Sequence, residues 1–376
     1  MEEDAATEPI ETRATGSTGP GRRSPLGEEM PRVRFTRKRL FVFVVFVGAS
    51  AAFLYFVLPK LLGLRETWNR IEQGNVWWLG LAAVLEACSF FGYIALFRGV
   101  FAGVSRIDWR ESYEITMAGL AATRLFASAG AGGIALTAWA LRRSGLDGRV
   151  AACRLIAFMV LLYAVYMVAL VVVGVGLYLG LFPGRAPFAI TMVPAIFGAT
   201  VIAAFLAVSL LPRDFERLVR RWTRRQGPLG RVAQQLATAS ATAASGIRTA
   251  IDLVRARSPY LLGAVAWWGF DIAVLWACFH AFGASPPKGV IVMSYFVGMV
   301  GNTLPLPGGI GGVDGGMIGA FVAFGVNAEV AVVAVLAYRA FAFWLPTVPG
   351  AVAYLQLRRT VHRWRAEPAG ALRGTS

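Results

Sequence analysis

Among the ionisable side chains inside apolar runs of this 376-residue chain, five stand out: Glu86, Arg124, Asp271, Asp314 and Arg339. A charge held in hydrocarbon costs ~3 kcal/mol or more on insertion scales, so such groups are expected to face a wet cavity and a partner. Their types define the chemistry on offer. A guanidinium forms paired hydrogen bonds with phosphate oxygens, so Arg339 and Arg124 suit a lipid phosphate. The carboxylates Asp314, Glu86 and Asp271 suit a cationic head group or a coupling proton. The alternative for each is an internal ion pair that fixes helix packing, for example Asp271 with Arg339. Gly308, Gly309, Gly311 and Gly312 add backbone N–H groups near the positive end of a helical arm starting near Val313, a second means of holding an anion. Asn302 and Thr303, just before them, offer hydrogen bonds or a simple cap.

Catalysis has little to work with. His280 lies at the end of an apolar run and His362 in a basic tail, and no His/Cys/carboxylate cluster has metal-ligand spacing. The expectation is therefore a non-enzyme with no catalytic residue, metal or cofactor. A membrane-embedded transferase or hydrolase acting on a lipid-linked substrate would need a general base or a metal. It stands as the alternative, beside a transporter of a small anion and a scaffold recruiting partners through its arginines.

Groups at membrane depth need an irregular backbone to gather around, and the stretch PLPGGIGGVDGG, Pro305–Gly316, supplies one with six glycines and two prolines. Relative to alanine, glycine costs ~1 and proline ~3 kcal/mol in a helix interior, so Pro305, Pro307, Gly315 and Gly316 join the four glycines above in breaking the helix. The arms on either side, Val290–Leu304 and Val313–Val326, hold about fifteen residues each, short of the ~20 that cross a bilayer. Broken backbone is tolerated at that depth only where protein buries it or water reaches it. Residues 289–325 thus read as a hairpin that enters and leaves on one side; the alternative is a turn joining two full spans. A weaker apolar stretch, Ser112–Leu141, breaks at Gly130, Gly132 and Gly133 and is basic at both ends. It reads as a second hairpin, opening to the cytoplasm.

With 57% hydrophobic residues, 15% charged and a mean hydropathy of +0.59, the chain cannot be a water-soluble globule. Full spans are expected at Leu40–Leu58, Trp77–Val100, Leu155–Phe182, Phe188–Leu211, Tyr260–Phe282 and Ala328–Leu345. They form one domain, 32–358, between a disordered cytoplasmic tail, 1–31, and a second tail, 359–376. Residues 213–257 carry ten arginines among apolar residues at helical spacing. That pattern fits an amphipathic helix on the anionic leaflet or a cytoplasmic helix packed on the protein. Cys88, Cys153 and Cys278 fall in or beside apolar runs and read as core filling.

The net charge of +16 is a topology signal rather than a nucleic-acid footprint, because 34 of the 37 basic residues fall outside the spans. The layout puts 29 of them on one face and 5 on the other, so both termini are expected in the cytoplasm of a bacterial cell, in its inner (plasma) membrane. The two broken stretches also match at a shift of 180 residues. Gly132 falls on Gly312, and Gly145-Leu-Asp-Gly-Arg-Val-Ala151 on Gly325-Val-Asn-Ala-Glu-Val-Ala331. Units of about 77–182 and 260–345 then run in opposite directions through the membrane, the architecture of secondary transporters. The fold expected is an all-α polytopic membrane protein with about six full spans and two re-entrant hairpins in an inverted repeat. Eight or more ordinary spans would give the same sidedness.

PLPGGIGGVDGG, then FGV at Phe324–Val326 and LAYRAFAFWLPTVPG at Leu336–Gly350, resemble the flippase-like membrane domain of lysylphosphatidylglycerol synthases. The match is specific over roughly 289–350 and compatible in span layout over 38–358. The resemblance implies a lipid translocase without the aminoacyl-transferase domain of fused members, whose partners are membrane lipids with an anionic or phosphate-bearing head group; a homo-oligomer is left open. The first hairpin, Ala127–Gly133, departs from the family's proline-bearing glycine turn.

Overall fold

The computed structural model of the chain describes residues 74–105, 107–125, 131–184, 187–210, 228–304 and 309–366. The tail expected at 1–31 and the span at 40–58 lie outside them. What it describes is helical: α1 (Val76–Phe101), α2 (Trp109–Leu125), α3 (Ala131–Arg143), α4 (Gly148–Tyr178), α5 (Phe188–Leu210) and α6 (Pro228–Arg255). These are followed by α7 (Leu262–Ala281), α8 (Lys288–Met299), α9 (Gly312–Ala323), α10 (Ala328–Arg339) and α11 (Thr347–Ala366), with a π turn at Ala340–Trp344 between the last two. Among the described residues, five segments are long and apolar enough to cross a membrane: Val76–Phe101, Gly148–Tyr178, Phe188–Val208, Pro259–Ala281 and Ala328–Trp364.

The chain makes one turn twice, 180 residues apart, bond for bond. Gly145 and Gly325 take φ of +91° and +88°, a left-handed conformation that ends α3 and α9 and that a side chain would resist. Leu146 N–H closes the first turn on Leu141 O (3.3 Å), and Val326 N–H closes the second on Phe321 O (2.9 Å). Asp147 and Asn327 then start α4 and α10 by accepting two backbone N–H groups each, from Arg149 and Val150 and from Glu329 and Val330.

The opening helices of the two units, α1 and α7, pack along their length in opposite directions. Asn75 N–H donates to Ala281 O (2.9 Å) at one end, Ser89 Oγ to Trp267 O (2.8 Å) midway, and Gly99 lies under the Tyr260 ring at the other. At Gly92 a methyl would come within 2.7 Å of Ala266 Cβ, so the close approach depends on glycine. Each unit's hairpin also packs on itself, α2 with α3 through Gly119 and Gly133, and α8 with α9 through Gly298, Gly301, Gly312 and Gly316. Twelve residues at ~1.5 Å each make α8 and α9 about 18 Å long, well short of the ~30 Å hydrocarbon layer.

The units clasp each other through their final helices. Tyr166 of α4 donates to Phe296 O of α8 (2.6 Å) and stacks on its ring at 4.5 Å, while α11 lies along α2 with Gly350 against Ala121. Sequence reasoning ends the last span at Leu345 and gives 359–376 to a tail; the helix instead continues through the π turn to Ala366. Pro349 fits because the first turn of a helix has N–H groups with no intrahelical partner, so losing one removes no bond. Of the arginine-rich stretch, α6 packs on α4, with Gly246 against Ile156 and with Ile247 and Ala250 buried.

Candidate functional site

The polar groups of the second unit meet in the apolar interior. Asp314, in the first turn of α9, is fully buried, and its Oδ1 stands 2.7 Å from Arg339 Nε at the end of α10. Its Oδ2 accepts the N–H of Gly311 (2.8 Å), which holds φ at +83° where α9 begins. The aspartate therefore fills the place at the helix N-terminus where an external anion was expected, and it does so as a fixed internal anion. The Arg339 guanidinium also lies over the Phe343 ring at 5.1 Å, inside the π turn, a local widening that recurs at functional sites.

Next to this pair, Asp271 of α7 accepts two phenol hydroxyls on one oxygen, from Tyr338 of α10 (3.0 Å) and from Tyr295 of α8 in a very short bond. Both tyrosines are buried. Glu86 of α1 is buried too and lies within electrostatic reach of Tyr338 and Cys278. The tract thus runs from Glu86 through Asp271, Tyr295 and Tyr338 to Arg339 and Asp314, with contributions from α1, α7, α8, α9 and α10. Ser294, beside Tyr295, buries its hydroxyl with no hydrogen-bond partner among the described residues.

Four sequence-selected residues, Glu86, Asp271, Asp314 and Arg339, come together here. Asn302 sits at the edge of the hairpin, on a 3-10 turn at Val300–Thr303, where a methyl on Gly309 would come within 2.5 Å of its Oδ1. Thr303 Oγ1 donates to Val300 O (2.8 Å) and serves as a local cap. Gly311 and Gly312 lie at the start of α9 and Gly315 and Gly316 in its first turns, Gly316 facing Gly298. Gly132 and Gly133 begin α3. Pro305, Pro307, Gly308, Gly130 and the side chain of Arg124 lie outside the described residues.

Sequence reasoning missed the two tyrosines, whose apolar rings hide them in a hydropathy pattern although a buried phenol needs a partner. It also missed a second polar cluster, between α2 and α11. Glu114 is fully buried and accepts Arg110 Nε (3.0 Å) and Thr360 Oγ1 (2.6 Å), while Glu111 accepts Trp364 Nε1 (3.1 Å). The signal was present as Arg110 and Glu114 four apart on one helix face.

At the positions that match the polar groups of the second unit, the first unit is apolar. At the 180-residue shift, Asp314 falls on Ile134, Arg339 on Met159, Asp271 on Phe91, Tyr295 on Ile115 and Tyr338 on Phe158. The first hairpin offers threonines instead, Thr116, Thr123 and Thr137, around a cavity of about 40 Å³. Two of these hydroxyls donate back to carbonyls of their own helix, Ser112 O and Gly119 O.

Known proteins extend this picture. A family model described as "Lysylphosphatidylglycerol synthase TM region" matches residues 40–350. Two matches to proteins of Methanothermobacter thermautotrophicus named "UPF0104 membrane protein" are 34% identical over 87 residues and 32% identical over 115. They cover 23% and 29% of this chain, and 25% and 34% of the relatives' own lengths.

Proposed function

This chain belongs to the family of the lysylphosphatidylglycerol synthase TM region, and from that premise we propose that it moves a phosphate-bearing lipid between leaflets. The observation that carries the reading is the Asp314–Arg339 pair, buried where two short helices meet at a glycine break. An ion pair is a poor way to stabilise an apolar core, since well-packed hydrophobic residues often serve as well or better. Its value lies in exchange. A lipid phosphate competes with the Asp314 carboxylate for the same guanidinium, so arrival of a head group releases α9 from α10 and departure restores the closed contact. Acyl chains stay in the bilayer throughout, and Arg339 meets the head group alternately from each leaflet as the inverted units rock. The hairpin α8–α9 enters and leaves on the outer side, both termini lie in the cytoplasm, and the protein resides in a bacterial inner membrane.

The test is head-group exchange of fluorescent phospholipids in proteoliposomes. The intact protein raises exchange above protein-free vesicles. Arg339→Ala, losing a charge-assisted contact of ~1.5–3 kcal/mol, slows it roughly ten- to hundredfold. Exchange equal to that of empty vesicles across anionic, zwitterionic and polyprenyl-phosphate lipids would remove the reading.

A further inference from the structure

Away from the buried pair, a groove of about 640 Å³ runs between α3, α4 and α5, within the ~300–1,000 Å³ typical of ligand cavities. It exists because α4 and α5 touch tightly at only one end. There, a methyl on Gly174 would come within 2.6 Å of Thr191 O, and one on Gly198 within 2.9 Å of Met167 O. Beyond Met167 the helices part, with Tyr163 and Phe205 among the walls. The far end meets α6, since Ile156 both lines the groove and packs on Gly246. Its walls are apolar except near one end, where Arg142 in the last turn of α3 joins the lining, with Arg143 beside it and Arg149 in the first turn of α4.

The symmetry of the fold adds a second observation. Ile134 and Met159, the positions that answer to Asp314 and Arg339, are both groove walls. The second unit sets an ion pair where the first opens an oily slot. The geometry points to an acyl-chain site: the groove holds one tail of an acidic lipid, and Arg142 holds its phosphate. Length, apolarity and a single cationic end fit a lipid tail with a negative head, since a guanidinium pairs with phosphate oxygens. Occupancy of the groove is a binding property and stands whether or not the lipid crosses the membrane.

The experiment uses the full chain in nanodiscs containing phosphatidylglycerol or phosphatidylcholine with a photoreactive diazirine midway along one acyl chain. Adducts are mapped after irradiation. Phosphatidylglycerol is expected to label α4 and α5 residues of the groove about tenfold more than phosphatidylcholine, the preference a charge-assisted contact supplies. Arg142→Gln lowers phosphatidylglycerol labelling about tenfold and removes the preference. Ala152→Trp and Val201→Trp fill the groove from opposite walls, and each suppresses labelling while the protein stays monodisperse. Labelling that ignores both tryptophans marks annular lipid only and overturns the proposal. So does an unlabelled groove in which Phe46→Cys crosslinks to Phe205→Cys, which would give the slot to the chain's own apolar segment. Labelling without head-group exchange would keep the groove and remove the translocase reading; exchange without labelling would do the reverse.

Discussion

At the scale of single residues, the site is defined by how its charges are satisfied. Removing one partner of a buried ion pair leaves the other uncompensated, at ~3–5 kcal/mol, whereas replacing both with apolar groups is often neutral. Arg339→Met alone is therefore expected to lower thermal stability sharply, and Arg339→Met combined with Asp314→Leu to recover most of it without recovering head-group exchange. Unfolding in detergent and exchange in vesicles, measured on the same three proteins, separate packing from function. A double variant that exchanges lipid at the native rate would make the pair structural. Tyr338→Phe tests the neighbouring carboxylate. It removes one of the two phenol donors on Asp271 and is expected to cost ~1.5–3 kcal/mol, read by the same unfolding measurement, because the acceptor is buried. An unchanged stability would mean that Asp271 does not draw on this phenol.

At the scale of elements, glycine and proline decided what could be read. The match of Gly145-Leu-Asp147 with Gly325-Val-Asn327 was legible in the sequence, and the structure gives both the same left-handed glycine and side-chain cap. Pro346 and Pro349 misled, since proline signals a stop in a helix interior but is harmless in a first turn, and α11 begins there. The polar cluster it forms with α2 went unseen because its partners lie about 250 residues apart in sequence, as Thr360 and Glu114 do. That contact anchors α11 on the first hairpin. Thr360→Val, which takes a donor from the buried Glu114, is expected to raise deuterium uptake in α11 while leaving α7 unchanged. Equal uptake in wild type and variant would show that α11 is held by apolar contacts such as Gly350 on Ala121.

At the scale of the whole molecule, two stretches that make the same turn 180 residues apart carry different side chains at matching positions. The repeated turn is readable from sequence, because caps and glycine breaks are local signals. The asymmetry is also written there, as Ile134 and Met159 against Asp314 and Arg339, but it acquires meaning only once the fold aligns those positions. The convergence of Asp271 with Tyr295 and Tyr338 is long-range and has no local signal. What all of this depends on is the hairpin α8–α9 turning back inside the membrane beside the ion pair. Introduced cysteines at Lys288 and Ala328, both exposed at the hairpin's two ends, test it directly when intact cells are treated with a membrane-impermeant maleimide. Labelling of both from outside the cell is the predicted result. Labelling of one from outside and of the other only after the membrane is opened would make α8 and α9 a crossing, and would contradict the site built on them.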